Sequence, residues 1–154
     1  MSYGGGHLVR DISFFVAILA TAIALGGALA HAFEFFSKMR LSREDYFVVQ
    51  TIYAGWNRLA YVLLLELLGI VALIVLYRKE PTVMWPAVAA LAFLLASQAI
   101  FWIWTYPANI ATNNWTQQPE NWQELRQQWE YSHFAGAIFQ GLTMTALIVG
   151  VLRR

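Results

Sequence analysis

Long apolar stretches alternate with short polar ones along this chain. Three stretches without a charged residue cover 12–30, 81–119 and 134–152, and in a fourth, 59–77, Glu66 is the one charged position. Each reaches the roughly 18 residues that indicate a membrane-crossing helix. The pattern therefore predicts an all-α polytopic membrane protein, a bundle of four transmembrane helices.

The predicted crossings form one transmembrane domain over residues 1–154. They cover approximately 12–34, 56–77, 83–105 and 130–152. A polar link over 37–54 and a loop over 106–118 connect them on one side of the membrane, where we also expect helical extensions.

Capping and breaking residues refine these boundaries. Ser42 followed by Asp45 resembles a capping box and predicts a helix that restarts there, bends at Gly55 and continues into the second crossing. Pro107 and the asparagines after it are expected to end the third helix, and Pro119 to begin the fourth.

Composition supports the membrane class and excludes some functions. Only 12% of the residues are charged, against roughly 25% in soluble domains. A net charge of +1 with no basic arm argues against nucleic acid as a partner and leaves the lipid bilayer. Because the chain has no cysteine, redox chemistry would need a bound cofactor, a metal or the substrate itself.

Four crossings put both termini on one side of the membrane. Five basic residues lie on each side, so their number does not set the orientation. We expect the termini in the cytoplasm, because the basic residues there adjoin helix ends, whereas Arg58 and Arg126 on the far side have candidate acidic partners.

Ionisable residues concentrate at the far end of the predicted bundle. The motif His31-x-x-Glu34 ends the first crossing, and its mirror image Glu130-x-x-His133 begins the fourth. Two helical stripes result, and they consist of His31, Glu34 and Lys38 and of Arg126, Glu130 and His133. Glu66 lies about 10 Å deeper by helical rise.

Structural roles also fit these residues. The spacing of Glu34 with Lys38 and of Arg126 with Glu130 suits solvated ion pairs. Histidines at the boundary can be interfacial hydrogen-bonding groups. Arg58 suits either a snorkelling side chain or the counter-ion of Glu130 or Glu34.

Glu66 suits a protonated acid that is bonded to a neighbouring helix through Gln98 or Gln140. An acid inside the membrane otherwise marks a functional site of unassigned role.

A metal or haem site is a second interpretation of the mirrored motifs. Di-iron bundles use Glu-x-x-His on two helices and one Glu on each of the others, a pattern that is incomplete here. A single iron, copper or zinc ion held by His31, His133, Glu34 and Glu130 remains chemically sensible. A haem held by one or both histidines, or no cofactor at all, are the alternatives.

Tryptophans also favour the far end. Six of the seven lie there, namely Trp56, Trp102, Trp104, Trp115, Trp122 and Trp129. This is typical of an aromatic belt at the membrane surface, or of a pocket for a flat apolar molecule.

Several motifs lie at the far end, namely Phe101-Trp102-x-x-Thr105-x-Pro107-x-Asn109, Asn114-Trp115-Thr116, Pro119, Trp122, Leu125-Arg126 and Trp129-Glu130-x-x-His133. Together they resemble the anthrone-oxygenase-like family of small four-helix integral membrane proteins. The earlier His31-x-x-Glu34-x-x-x-Lys38 and Tyr53-x-Gly55-Trp56 resemble the family's largely uncharacterised bacterial branch. The resemblance covers most of the chain.

This resemblance implies an oxidoreductase, since fungal members oxidise anthrones to anthraquinones with dioxygen and no established cofactor. It also implies a bacterial inner-membrane protein. The residues carried over as site candidates are Asn109, Trp122, Arg126, Trp129, Glu130 and His133.

We expect a substrate that is flat and apolar, phenolic or quinone-like. Glu130 or His133 would act as the base and Arg58 or Arg126 would stabilise the oxyanion. The candidate substrate-binding residues are Trp56, Asn57, Trp102, Thr105, Asn109, Trp122 and Trp129.

Two non-enzymatic functions stay open. Small-residue seams at Gly26-Gly27 and Ala135-Gly136-Ala137 suit a homo-oligomer or a small subunit of a larger membrane complex. The clustered tryptophans equally suit a carrier or sensor of a hydrophobic ligand.

Overall fold

Four long apolar helices dominate the computed structural model, which describes residues 3–154, with side chains from residue 6. The helices long and apolar enough to cross a membrane are Gly6–Lys38, Trp56–Leu76, Pro81–Ala111 and Trp122–Leu152. Residues 3–154 contain no β-strand. The predicted all-α polytopic bundle is confirmed.

Two of these spans contain a short irregular turn, at the start of the second span and within the third. The α-helices are α1 (Tyr3–Lys38), α2 (Arg43–Gln50), α3 (Leu59–Leu76), α4 (Pro81–Ile100), α5 (Tyr106–Ala111) and α6 (Trp122–Leu152). Two 3₁₀ turns, Thr51–Tyr53 and Trp56–Arg58, join α2 to α3, and a π-helical turn, Phe101–Thr105, joins α4 to α5.

Helix α1 packs against α3 and α6, and α6 packs against α4. The membrane core is apolar, with Phe14, Ile70, Leu73, Leu94 and Leu147 among its buried members. Gly136 on α6 faces Ser97 on α4, so the second small-residue seam lies inside the bundle.

The first turns of α1 and the C-terminal arginine lie at one end of the bundle. Arg10 pairs with Glu80 at 2.8 Å, and Arg154 pairs with Asp11 at 2.6 Å. These contacts join α1 to the start of α4 and to the end of α6. The opposite end therefore holds the polar link, and helix α2 lies across it.

The polar link folds partly as predicted. Ser42 caps α2, because its hydroxyl oxygen accepts a hydrogen bond from the Asp45 N–H at 3.1 Å. The predicted bend at Gly55 is confirmed, and its φ of +87° is in the left-handed region that favours glycine. The helix does not continue through the bend, however, since two 3₁₀ turns replace it.

The prediction that Pro107 ends the third helix was wrong. A π-helical turn places Pro107 in the first turn of α5, where a missing N–H is tolerated. Gln128 on α6 also donates a hydrogen bond to the Trp104 carbonyl in the same irregular segment, at 2.7 Å. The predicted loop over 106–118 therefore contains a helical turn.

The asparagine-rich segment ends α5 as expected. Asn113, Asn114 and Trp115 have φ values of 48°, 53° and 64°, which no helix can continue. Helix α6 begins at Trp122 and not at Pro119, whose carbonyl accepts a hydrogen bond from the Trp122 N–H at 3.2 Å.

Candidate functional site

A buried ion pair lies where α1 and α6 meet at the far end. The Lys38 ammonium is 3.0 Å from a Glu130 carboxyl oxygen, and the two residues are 3% and 1% exposed. Glu34, one turn before Lys38, is 3.7 Å away and partly exposed. The counter-ion of Glu130 is thus Lys38, which was predicted on the same helical stripe as His31 but was not among the predicted site residues.

Two tyrosines from the polar link complete this network. The Tyr46 hydroxyl donates to Glu130 Oε1 at 3.0 Å. The Tyr53 hydroxyl donates to Glu34 Oε2 at 2.5 Å and accepts a hydrogen bond from Lys38 Nζ at 3.1 Å. Burial raises the pKa of both phenols, and the nearby carboxylates, Glu130 for Tyr46 and Glu34 for Tyr53, raise it further.

Both mirrored histidines lie beside this network, with their rings in contact. The His31 and His133 ring centroids are 4.3 Å apart. His31 also contacts the rings of Tyr53, Trp56 and Trp129, at 4.4, 5.1 and 5.0 Å. The predicted convergence of the two motifs is confirmed in space.

The hydrogen bond of His133 assigns its neutral tautomer. Its Nδ1 is 2.9 Å from the Trp129 carbonyl oxygen. Because a carbonyl only accepts, Nδ1 carries the proton and the lone pair of the neutral ring is on Nε2. His133 therefore presents a nitrogen that can accept a proton.

A layer of aromatic side chains closes the site from above. It comprises Tyr46, Phe47, Trp115, Trp122 and Trp129. Asn109 joins two of them, because its Oδ1 accepts from the indole N–H of Trp115 at 3.2 Å and of Trp129 at 2.8 Å.

Arg126 stabilises this layer. Its guanidinium lies over the rings of Trp122 and Tyr46, at 4.6 and 5.5 Å, and donates to the Leu41 carbonyl at 3.0 Å.

Polar atoms without a partner are concentrated in the same region. His31 is 6% exposed and Gln50 is 4% exposed. Within the part of the chain that the structure describes, His31 Nδ1 and both amide atoms of Gln50 make no hydrogen bond. Gln50 was not among the predicted site residues, although its spacing from Tyr46 places both on one face of α2.

Other predicted site residues lie elsewhere. Arg58, Asn57 and Trp102 are exposed, and the prediction that Arg58 is the counter-ion of Glu130 or Glu34 was wrong because Lys38 takes that place. Thr105 is buried and shares a hydrogen bond of 2.7 Å with Ser132 on α6.

Glu66 is not part of this site, as its predicted depth in the membrane indicated. Its Oε1 accepts from Gln140 on α6 at 2.5 Å and lies 2.9 Å from the Thr21 hydroxyl on α1. Of the two predicted partners, the structure selects Gln140.

The donor set does not fit a metal ion held by the four predicted ligands or a haem held between the two histidines. Among residues 3–154, no group of three or more His, Asp and Glu side chains is arranged to hold a metal ion. The ammonium of Lys38 lies between the carboxyl groups of Glu34 and Glu130, where a metal would have to bind. The His31 and His133 rings are also too close to hold a haem between them.

A lateral groove lies beside Trp56, at the edge of the site. It has a volume of about 430 Å³ and lies between α1 and the start of α3. Its lining residues are Ile23, Gly27, Gly55, Trp56, Arg58, Leu59 and Val62. Trp56 belongs to both features, since it lines the groove and also contacts His31.

Comparisons with family models, curated proteins and solved structures found no match to this chain. The fold and the site together define an integral membrane protein: a four-helix bundle with a buried charged and aromatic site at one end.

Proposed function

We propose that this protein is a membrane oxidoreductase of the anthrone-oxygenase-like kind. Its substrate is a flat, lipid-soluble phenol or quinone-like molecule that binds beside the His31–His133 pair. The observation that carries the proposal is the set of unpartnered buried atoms on His31 and Gln50. Leaving such groups unpaired costs about 1–3 kcal/mol each, so a ligand that pairs them gains that energy.

The groove supplies access from the bilayer. Its volume of about 430 Å³ is within the roughly 300–1,000 Å³ of small-molecule sites. Its walls are mainly apolar, and Trp56 offers a ring face on which a flat aromatic molecule stacks. A substrate dissolved in the membrane therefore reaches the histidines without crossing the aqueous phase.

Proton removal is the step that these side chains support. A ring nitrogen of His31 or His133 takes the phenolic proton and leaves an electron-rich anion. The Lys38 ammonium lies 5.1 and 4.9 Å from the ring centres of Tyr53 and Trp129, which contact these histidines. Lys38 therefore replaces Arg58 and Arg126 as the group that compensates the negative charge.

Dioxygen is the oxidant, and its two oxygen atoms have different fates. The ring CH opposite the phenolic carbon becomes a carbonyl that carries one oxygen atom of O₂, and the phenolic carbon becomes the second carbonyl. The other oxygen atom leaves as water with the hydrogen of that CH and the phenolic proton. The proton held by the histidine returns with that water.

A pair of adjacent glycines tests the binding site. A side chain at Gly27 points into the groove, where a Cβ would be 3.4 Å from Leu59 and 3.6 Å from Trp56. Gly26 has nothing within 4 Å. We expect Gly27→Leu to abolish saturable quenching of tryptophan fluorescence by an anthrone and Gly26→Leu to retain it. Equal quenching in both variants would contradict the groove assignment.

Oxygen uptake with an anthrone as substrate tests the reaction. We expect His31→Gln to lower the rate by about 10²-fold or more, as loss of a general base does. His7, exposed on α1, provides the control His7→Gln, which should retain the rate. Saturable binding without product in the wild type would leave a carrier and refute the enzyme.

We further propose that the protein lies in a bacterial inner membrane with both termini in the cytoplasm. At the end that carries the termini, Arg78, Lys79 and Arg153 are exposed beside helix ends. At the opposite end, Lys38 is buried against Glu130 and Arg126 donates to a backbone carbonyl. The basic residues at the end with the termini adjoin helix ends, which are the positions that the positive-inside rule counts, and this supports the proposed orientation.

A further inference from the structure

We propose that an exposed cleft at the start of α3 binds the phosphate group of an anionic phospholipid. The cleft lies on the outer side of the bundle and has a volume of about 610 Å³. Its lining residues are Asn57, Arg58, Ala60 and Tyr61. Arg58 also lines the lateral groove, whereas Asn57, Ala60 and Tyr61 do not, and lipid binding at this cleft does not require the proposed reaction.

The charge of Arg58 has no partner inside the protein. Within residues 3–154, no carboxylate lies within 4.0 Å of its guanidinium and no hydrogen bond to it is formed. The residues that line the cleft include no acid. The cleft is therefore electropositive and accessible.

The chemistry of the cleft suits a phosphate. The guanidinium of Arg58 forms paired hydrogen bonds to phosphate oxygens, and the amide of Asn57 and the hydroxyl of Tyr61 add further donors. All three side chains are exposed and are not used in other hydrogen bonds of the described chain. Such a set recognises an anion with several acceptor oxygens.

The position of the cleft selects a lipid as the source of that phosphate. Trp56 and Arg58 begin the second membrane span, at the level where tryptophan and arginine meet lipid headgroups. Below this level, α3 exposes Leu64, Leu65 and Leu68 to the surroundings. A phospholipid bound here has its phosphate at Arg58 and its acyl chains along these leucines.

Native mass spectrometry of the full chain in detergent tests the site. The protein is offered equal amounts of phosphatidylglycerol and phosphatidylcholine with the same acyl chains. We expect the wild type to prefer phosphatidylglycerol about fivefold, as one interfacial basic residue does. Arg58→Gln should remove the preference, and Arg58→Lys should keep much of it.

Arg78 provides a matched control. It is also exposed and lies just beyond the other end of α3. Arg78→Gln should therefore retain the preference of the wild type. Equal loss in the two glutamine variants would overturn the proposal, as would displacement of the lipid by millimolar inorganic phosphate, which would identify a site for free phosphate.

Discussion

Lys38 is among the most deeply buried polar residues of the site, although lysine is rarely buried unless it is paired. Its ammonium contacts Glu130 and Glu34 and donates a hydrogen bond to the Tyr53 hydroxyl. It also lies 5.1 Å and 4.9 Å from the ring centres of Tyr53 and Trp129. Each of these contacts stabilises the cation.

Removal of the Lys38 charge should therefore destabilise the protein strongly. We expect Lys38→Met to lower the free energy of unfolding by about 3–5 kcal/mol, because Glu130 then remains buried without a counter-ion. The double variant with Glu130→Gln should recover much of this loss, since the neutral amide can still accept from Tyr46. Thermal unfolding in detergent measures both.

Arg40 supplies the control for this experiment. It is exposed two residues beyond Lys38 and forms no ion pair in the described structure. Arg40→Met should change the stability by less than about 0.5 kcal/mol. A loss for Lys38→Met no larger than this would show that the ion pair contributes little.

The two tyrosines of the network make stability fall at alkaline pH. Burial and the nearby carboxylates raise the pKa of Tyr46 and Tyr53 above the ordinary value of 10.0. The unfolded chain releases these protons near pH 10, whereas the folded chain keeps them, so unfolding becomes easier as the pH rises above 10. Below that pH the contribution is complete.

Tyrosine-to-phenylalanine variants test this pH dependence. We expect Tyr53→Phe to reduce the slope of unfolding free energy against pH above 10, by up to about 1.4 kcal/mol per pH unit. The phenyl ring retains the contacts with His31 and Trp56. An unchanged slope in both Tyr53→Phe and Tyr46→Phe would contradict the raised pKa values.

The sequence predicted the histidine pair at the centre of this site better than the residues of α2 that lie over it. Spacing along two apolar helices was enough to bring His31 and His133 to one level, because helical geometry fixes which residues share a face. Tyr46 and Gln50 reach the site only because α2 folds back over the bundle end. That fold depends on the turn around Gly55 and on aromatic packing, which no local pattern specifies.

At the scale of helices, the backbones of α1 and α3 approach each other closely at Gly69. A Cβ on Gly69 would lie 2.9 Å from the backbone of Ala17, closer than real Cβ atoms come. Both residues are buried in the membrane core. In a bilayer, where lipid and leucine are equally apolar, such close backbone packing is a main source of helix association.

Substitution of Gly69 should separate these helices. We expect Gly69→Ala to lower the free energy of unfolding by about 1–3 kcal/mol, because two rigid backbones must move apart. Gly141 on α6 has nothing within 4 Å, so Gly141→Ala should be neutral or slightly stabilising. Denaturation in mixed micelles compares the two, and equal effects would refute the packing argument.

An irregular helical turn explains why the predicted end of the third transmembrane helix was wrong. Proline after a long apolar run favours a helix end, yet the π-helical turn at Phe101–Thr105 carries the chain through Pro107. Gln128 from α6 bonds a carbonyl of that turn. Since this support comes from a residue on another helix, hydropathy and proline position alone do not predict it.

On the scale of the whole molecule, the two ends of the bundle differ. The end with the termini is joined by exposed ion pairs such as Arg10–Glu80, which contribute little to stability in water. At the far end the charges are buried beneath aromatic rings, where each contact contributes more to stability. The bundle therefore presents solvated charges at one end and a buried charged and aromatic cluster at the other.

The absence of cysteine from the sequence allows the orientation of these two ends to be measured directly. Arg153→Cys marks the end with the termini, and Gln118→Cys marks the end with the site; both positions are exposed. In intact cells with a permeabilised outer membrane, a membrane-impermeant maleimide should label Gln118→Cys and leave Arg153→Cys unlabelled until the inner membrane is opened. The reverse pattern would place the termini outside and the site in the cytoplasm. Labelling of both in intact cells would contradict a chain that crosses the membrane with its two ends on opposite sides.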